Sequence, residues 1–203
     1  MKLAAKELRI TTPTPKQLAA IKRRPIFIIV ENVLDTYNVG AIFRLADAAR
    51  VAKVLLVGDS ATPTDPKVGH KIHKASVGVW QWVPWEYART TKAALETINR
   101  SLPISKSFHL KFQIPNSKFQ NQNIKPLTVY AIEQDVSSIP YTEADYSYPL
   151  VLIVGHETTG ISKETLKLAD HIVEIPMYGV NKSMNVMVCL AIVLWEVLKT
   201  TEN

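Results

Sequence analysis

Three short stretches of this 203-residue chain carry the side chains with chemistry to offer. In Asn32–Arg44, Asn38 and Gly40 sit where an apolar run gives way to a helix, and Arg44 follows four residues after the glycine, about one helical turn on. Arginine keeps its charge at any working pH and presents its donors in a fixed fork, so it suits gripping a phosphate or polarising a hydroxyl and is a poor base. Taken alone, Arg44 would read as a surface arginine paired with Asp47. The second stretch, Gly155-His-Glu-Thr-Thr-Gly160, follows the apolar run Leu150–Val154. Its glycines let the main chain turn sharply at a strand end, the edge where open α/β sheets bind ligands. The Lys-Ser/Thr that would complete a phosphate loop is absent. The third stretch is Ile175-Pro-Met177, with Ser183-Met-Asn185 opening a long apolar helix that Ser183 is placed to cap. His70 and His73 have no carboxylate or thiol nearby in sequence, so no metal site is expected.

Positioning these stretches requires a sheet. Ile26–Val30 is a continuous, β-branched-rich run, as in a strand buried on both faces, and Lys53–Val57 repeats the pattern after a helical stripe over Val39–Val51. That strand–helix–strand order implies a parallel pair. Further strands are predicted at Val79–Trp85, Leu127–Ile132, Leu150–Val154 and Ile172–Ile175. Helices are predicted at Lys16–Arg24 (behind Thr14-Pro15), Pro66–Lys74, Ala88–Asn99, Ser162–Ala169 and Ser183–Lys199. The expected class is α/β, a mostly parallel sheet flanked by helices. The last helix is apolar nearly all round yet short for a membrane span, so burial between the sheet and a second copy of the chain is expected, and no membrane association.

Composition sets further bounds. With one cysteine, Cys189, no intrachain disulfide can form; with no apolar stretch at the N-terminus, no secretory signal is expected, and a cytoplasmic location follows. The net charge of +6 is uneven: residues 1–24 carry +6 and residues 100–126 carry +5, so the remainder is acidic. Residues 1–25 read as a basic helical extension and 26–203 as the main domain. The insertion at about 100–126 interleaves lysines with Phe108, Phe112 and Phe119, a pattern that suits RNA contact or belongs to a mobile loop without a role.

Together the three stretches resemble the signature motifs of the SpoU (TrmH-like) branch of the SPOUT RNA methyltransferases. The resemblance implies methyl transfer from S-adenosylmethionine to a ribose 2′-hydroxyl of RNA and a C-terminal trefoil knot; the apolar last helix adds a homodimer to that expectation. By the same resemblance Arg44 is the residue tied to catalysis and Asn38 supports it, while Glu157 holds the loop or the arginine. Ser183 and Asn185 would stand near the transferred methyl. Ile132, Gly155, Gly160, Ile175, Met177 and Met184 would line the cofactor site, with Met184 where leucine is common. Only residues 1–25 precede the matching region, which weights the substrate towards tRNA over ribosomal RNA. Two other classes compete: a non-catalytic RNA-binding relative, and a dinucleotide enzyme, against which the missing Gly-x-Gly-x-x-Gly after Val30 argues.

Overall fold

An uninterrupted apolar strand needs cover on both faces, and Ile26–Val30 has it. In the computed structural model, which describes residues 2–102 and 127–201, this run is the centre of β1 (Arg24–Glu31). Ile26, Ile28 and Val30 enter one hydrophobic core, while Phe27 and Ile29 enter a second on the opposite face. Strands β2 (Val51–Val57), β3 (Trp85–Ala88), β4 (Thr128–Ile132), β5 (Ile139–Pro140), β6 (Leu150–Val154) and β7 (His171–Glu174) complete a seven-stranded sheet. Its order is β3-β2-β1-β6-β4-β7-β5 and all its strand pairs are parallel, as the α/β reading expects. The chain runs outward from β1 through β2 and β3, then returns to fill the other side. The order therefore reverses between β1 and β6, and the loops leaving the carboxyl ends of these two strands flank a ready-made crevice.

Helices α3 (Thr36–Ala48), α4 (Gly69–Ala75) and α7 (Val186–Thr201) pack on the face of Ile26 and Ile28, together with a 3₁₀ turn at Val79–Gln81. Helices α5 (Thr91–Ser101) and α6 (Lys163–Leu166) cover the other face. Gly40 is required by the first layer: a Cβ there would come within 2.4 Å of the Ala75 side chain, so the glycine lets α3 and α4 close on each other. Two short helices, α1 (Ala5–Ile10) and α2 (Pro15–Ala20), precede the sheet, and Leu8 packs against the first core. Thr14 caps α2, accepting from the Gln17 amide at 3.3 Å while Gln17 accepts from the Thr14 amide at 2.8 Å. Among the described residues no helix is long and apolar enough to cross a membrane.

Several predicted elements shift. Helix α2 stops at Ala20 because the arginines after it have other work: Arg24 opens β1, and Arg23 donates to the carbonyls of Val51 and Trp82. The aromatic run Val79–Trp85 is not a strand. Val77 and Gly78 adopt φ values of 57° and 89°, which turn the chain into the 3₁₀ segment and leave only Trp85 to enter β3. Helix α5 begins at Thr91 because the Thr90 hydroxyl accepts from the Ala93 amide. Helix α7 begins at Val186, three residues later than predicted. Within the single chain α7 is not buried all round: Val188 and Trp195 remain 36% and 47% exposed. Helix α1 and strand β5 lacked a recognisable pattern, and most of the basic insertion, residues 103–126, lies outside the described residues.

Candidate active site

The loop after β6 is held by backbone and by two acids from neighbouring strands. His156 and Gly160 exchange amide–carbonyl hydrogen bonds of 3.1 and 2.9 Å, and Gly160 sits at φ 69°. His156 Nδ1 accepts from the amides of Thr158 at 2.9 Å and Thr159 at 3.3 Å, so its part here is shaping the turn. Glu133, just past β4, accepts from the Ile161 amide at 2.8 Å. Glu31, buried at the end of β1, accepts from the Ser162 amide at 3.0 Å and from the hydroxyls of Ser162, Thr91 and Thr165. Sequence reasoning missed both acids. Their signal was an acidic residue closing each apolar strand run, at the edge where ligands bind.

Beside this loop lies a cleft that opens to solvent at the carboxyl ends of β4, β6 and β7. Ile132, Gly155, Gly160, Ile175, Met177 and Met184, the six residues expected to hold a cofactor, all line it, as do Glu157 and Ser183. Glu133, Glu174 and Lys182 add charge of both signs around these apolar walls. Cys189 also faces the cleft, where burial pushes its thiol above the ordinary range and keeps it protonated.

The three sequence stretches meet at the lip of this cleft. Asn38, buried in the first turn of α3, donates through Nδ2 to Glu157 Oε1 at 3.0 Å, and its Oδ1 accepts from Asn185 Nδ2, also at 3.0 Å. The Asp35 amide donates to the same Glu157 oxygen at 3.2 Å, so the loops after β1 and β6 join where the strand order reverses. Burial would raise the pKa of Glu157, but the hydrogen bonds from Asn38 and the amides of Glu157, Asp35 and Leu34 outweigh it and hold the carboxyl below its ordinary value. A depressed carboxyl contributes stability that is present above the unfolded pKa and lost as pH falls through the folded value. Glu157→Gln should therefore melt below the parent protein at pH 7, with the gap closing once pH drops below about 4. Melting curves across that range check this; a gap that persists at low pH would assign the effect to shape rather than charge.

Two expectations change. Ser183 does not cap the last helix: it is exposed at the cleft, with its amide donating to Asn181 Oδ1 at 3.2 Å. Asn185 takes the capping role through a 2.9 Å bond from the Met187 amide, because the helix starts later. Arg44 is exposed and outside the cleft lining; it lies six residues beyond Asn38, about 9 Å along the helix axis and on a different face. It is not paired with Asp47, whose carboxyl is raised by burial and pulled back by Arg23.

This geometry has a counterpart among known proteins. A sequence model of the SpoU rRNA Methylase family matches residues 25–106 and 104–195. The chain belongs to this family. A tRNA (guanosine(18)-2′-O)-methyltransferase of Escherichia coli is 28% identical over 187 residues, covering 92% of this chain and 69% of that protein. A 23S rRNA (guanosine-2′-O-)-methyltransferase of Pseudomonas putida is 26% identical, covering 97% of this chain and 64% of that protein. Among solved structures, the Aquifex aeolicus TrmH/SpoU tRNA modifying enzyme shares 26% identity at a TM-score of 0.66, covering 98% of this chain and 82% of that one. The AdoMet-bound rRNA methyltransferase of Sinorhizobium meliloti superposes with a TM-score of 0.67 at 23% identity, covering 95% of this chain and 59% of that one. S-adenosylmethionine is the cofactor of the SpoU family, and the cleft suits it. Its walls combine apolar Ile132, Ile175, Met177 and Met184 with charged Glu133, Glu174 and Lys182.

Proposed function

We propose that this protein methylates a ribose 2′-hydroxyl of RNA, with tRNA as the substrate, and works as a homodimer in the cytoplasm. The observation that carries the reading is the Glu157–Asn38–Asn185 chain at the lip of a cleft lined by all six expected cofactor residues. S-adenosylmethionine bound there supplies an electrophilic methyl group. The protein's share is alignment, which by itself removes much of the barrier to an in-line displacement. Gly155 and Gly160 shape the loop that seats the cofactor; Asn38 and Glu157 hold that loop against α3; Ser183 and Asn185 stand at the entrance for the ribose. Arg44 grips the phosphate beside the reacting ribose and polarises the hydroxyl, whose proton leaves to that phosphate or to water. The knotted C-terminus belongs to the same reading, since residues 175–185 share one cleft with the loop after β6. The choice of tRNA is supported by the somewhat higher identity to the tRNA enzyme, 28% against 26% for the 23S rRNA enzyme.

The dimer rests on an unpartnered apolar stripe. Val188 and Trp195, seven residues apart, share one face of α7, and Leu34 and Tyr37 at the start of α3 are also exposed. Trp195→Glu should convert a dimeric species to monomer in sedimentation experiments; a parent protein that is monomeric at micromolar concentration would remove the dimer from the reading.

The reaction is tested with methyl-labelled S-adenosylmethionine and unmodified total tRNA or ribosomal RNA, followed by nuclease digestion. Ribose-linked label in tRNA is the expected result. Label in ribosomal RNA alone would overturn the substrate, and no label despite cofactor binding would favour a non-catalytic RNA-binding protein.

A further inference from the structure

A second cleft lies on the same layer as α3, outside the cofactor site. Arg9, His73, Lys74, Gly78, Trp80 and Gln81 line it. Its floor is aromatic: the rings of His73 and Trp80 stack at 4.4 Å with only 7° between their planes, and His73 Nε2 is fixed by a 2.8 Å contact with the Pro63 carbonyl. Its rim is cationic, since Arg9 and Lys74 are exposed and no carboxylate among the described residues pairs with either. The cleft exists because α1 docks on the 3₁₀ segment. A Cβ on Gly78 would come within 2.3 Å of the Leu8 carbonyl, so this glycine admits the end of α1 and brings Arg9 to the cleft that Trp80 also lines. Helix α4 adds His70, Lys71 and Lys74 on its outer face and carries no acid. Helix α4 in turn packs on α3, which bears Asn38 and Arg44.

We infer that this α1–α4 cleft is an RNA-binding subsite that holds a nucleotide of the substrate away from the methylated ribose. The inference rests on the RNA-methylating function proposed above. Two cations at the rim of an aromatic platform match the two chemistries every nucleotide offers, an anionic phosphate and a base face. An acidic protein surface would satisfy the cations but make no use of the aromatic floor. The Gln81 amide supplies a donor and an acceptor for a base edge. The subsite explains why the basic N-terminal extension is folded onto the body rather than left free: α1 completes a wall of the cleft.

The test is the double charge reversal Arg9→Glu with Lys74→Glu, two exposed positions at which the fold has little at stake, and separately Trp80→Phe, which keeps a stacking ring. Binding of unmodified total tRNA is measured by filter retention between 50 and 200 mM salt, alongside the melting-temperature rise given by S-adenosylhomocysteine. The double reversal should raise the tRNA Kd at least about tenfold and lower the salt slope by about two, while Trp80→Phe stays near the parent protein. The cofactor-induced melting shift should be unchanged in both. If the parent protein binds tRNA and the double reversal binds it equally well with the same salt slope, the subsite is overturned while the methylating function stands. If the parent protein binds neither tRNA nor ribosomal RNA, the RNA reading falls and the subsite falls with it.

Discussion

Arg44→Ala is expected to lower turnover by about 100- to 1,000-fold, the cost of removing one charged donor from a reacting oxygen, with cofactor affinity nearly unchanged. The separation follows from position. Arg44 is exposed midway along α3, lines no part of the cofactor cleft and pairs with no acid among the described residues, so its loss should neither unfold the helix nor disturb the loop after β6. Alanine is also the strongest helix former, so truncation does not weaken α3 itself. Calorimetric titration with S-adenosylhomocysteine and single-turnover methylation measure the two quantities independently. Equal loss of both would make Arg44 a structural residue. Arg44→Lys sharpens the test. Lysine keeps the charge but not the planar fork, so a variant as slow as alanine points to oriented hydrogen bonding, and near-full recovery points to charge alone.

The strands that build the site were legible because burial on both faces forces continuous apolar runs, as in Ile26–Val30 and Leu150–Val154. The cleft was legible for a different reason: all six of its expected residues came from motif resemblance, and periodicity alone would have found none. What stayed hidden depended on partners distant in sequence. The carboxylate of Glu31 looks like a strand-end acid until Thr91, Ser162 and Thr165 converge on it from two other helices and a loop. The start of α7 was misplaced because Ser183 and Asn185 are both good caps, and the choice is made by Asn38, which holds Asn185 across 147 positions. The Val79–Trp85 run is rich in aromatic and β-branched residues, which suit a strand, but the positive φ of Val77 and Gly78 turns its start into a 3₁₀ segment and only Trp85 joins β3. Local pattern identifies an apolar segment, and tertiary contacts decide whether it extends or coils.

Gly155→Ala should weaken cofactor binding by about 10- to 100-fold, matching the 1–3 kcal/mol usually lost when a methyl group is forced into a packed site. A Cβ at position 155 would lie 2.5 Å from the Gly160 carbonyl carbon and 2.5 Å from the Ile161 amide nitrogen. Both are backbone atoms that cannot rotate away, so the loop must move. It is tied at Ile161 to Glu133 and at Ser162 to Glu31, and the displacement is resisted at both anchors. The cofactor then binds only the fraction of molecules whose loop recovers its native shape, which lowers apparent affinity without touching a ligand contact. Titration with S-adenosylhomocysteine measures the effect, and unchanged affinity would move the cofactor away from this cleft. The same variant also reports where Arg44 acts. Arg44 stands outside its own cleft, on an exposed stripe of α3 shared with Tyr37, and Tyr37 lies at the start of the helix where the dimer is proposed to form. If it serves the partner's cleft, Arg44→Ala and Gly155→Ala, each strongly impaired alone at a cofactor concentration well below the dissociation constant of Gly155→Ala, complement each other when mixed. Random exchange of subunits in a two-fold dimer would then leave one intact composite site in each heterodimer and restore about a quarter of the parent turnover. If Arg44 serves its own cleft, a heterodimer carries one defect in each site, and mixing restores nothing.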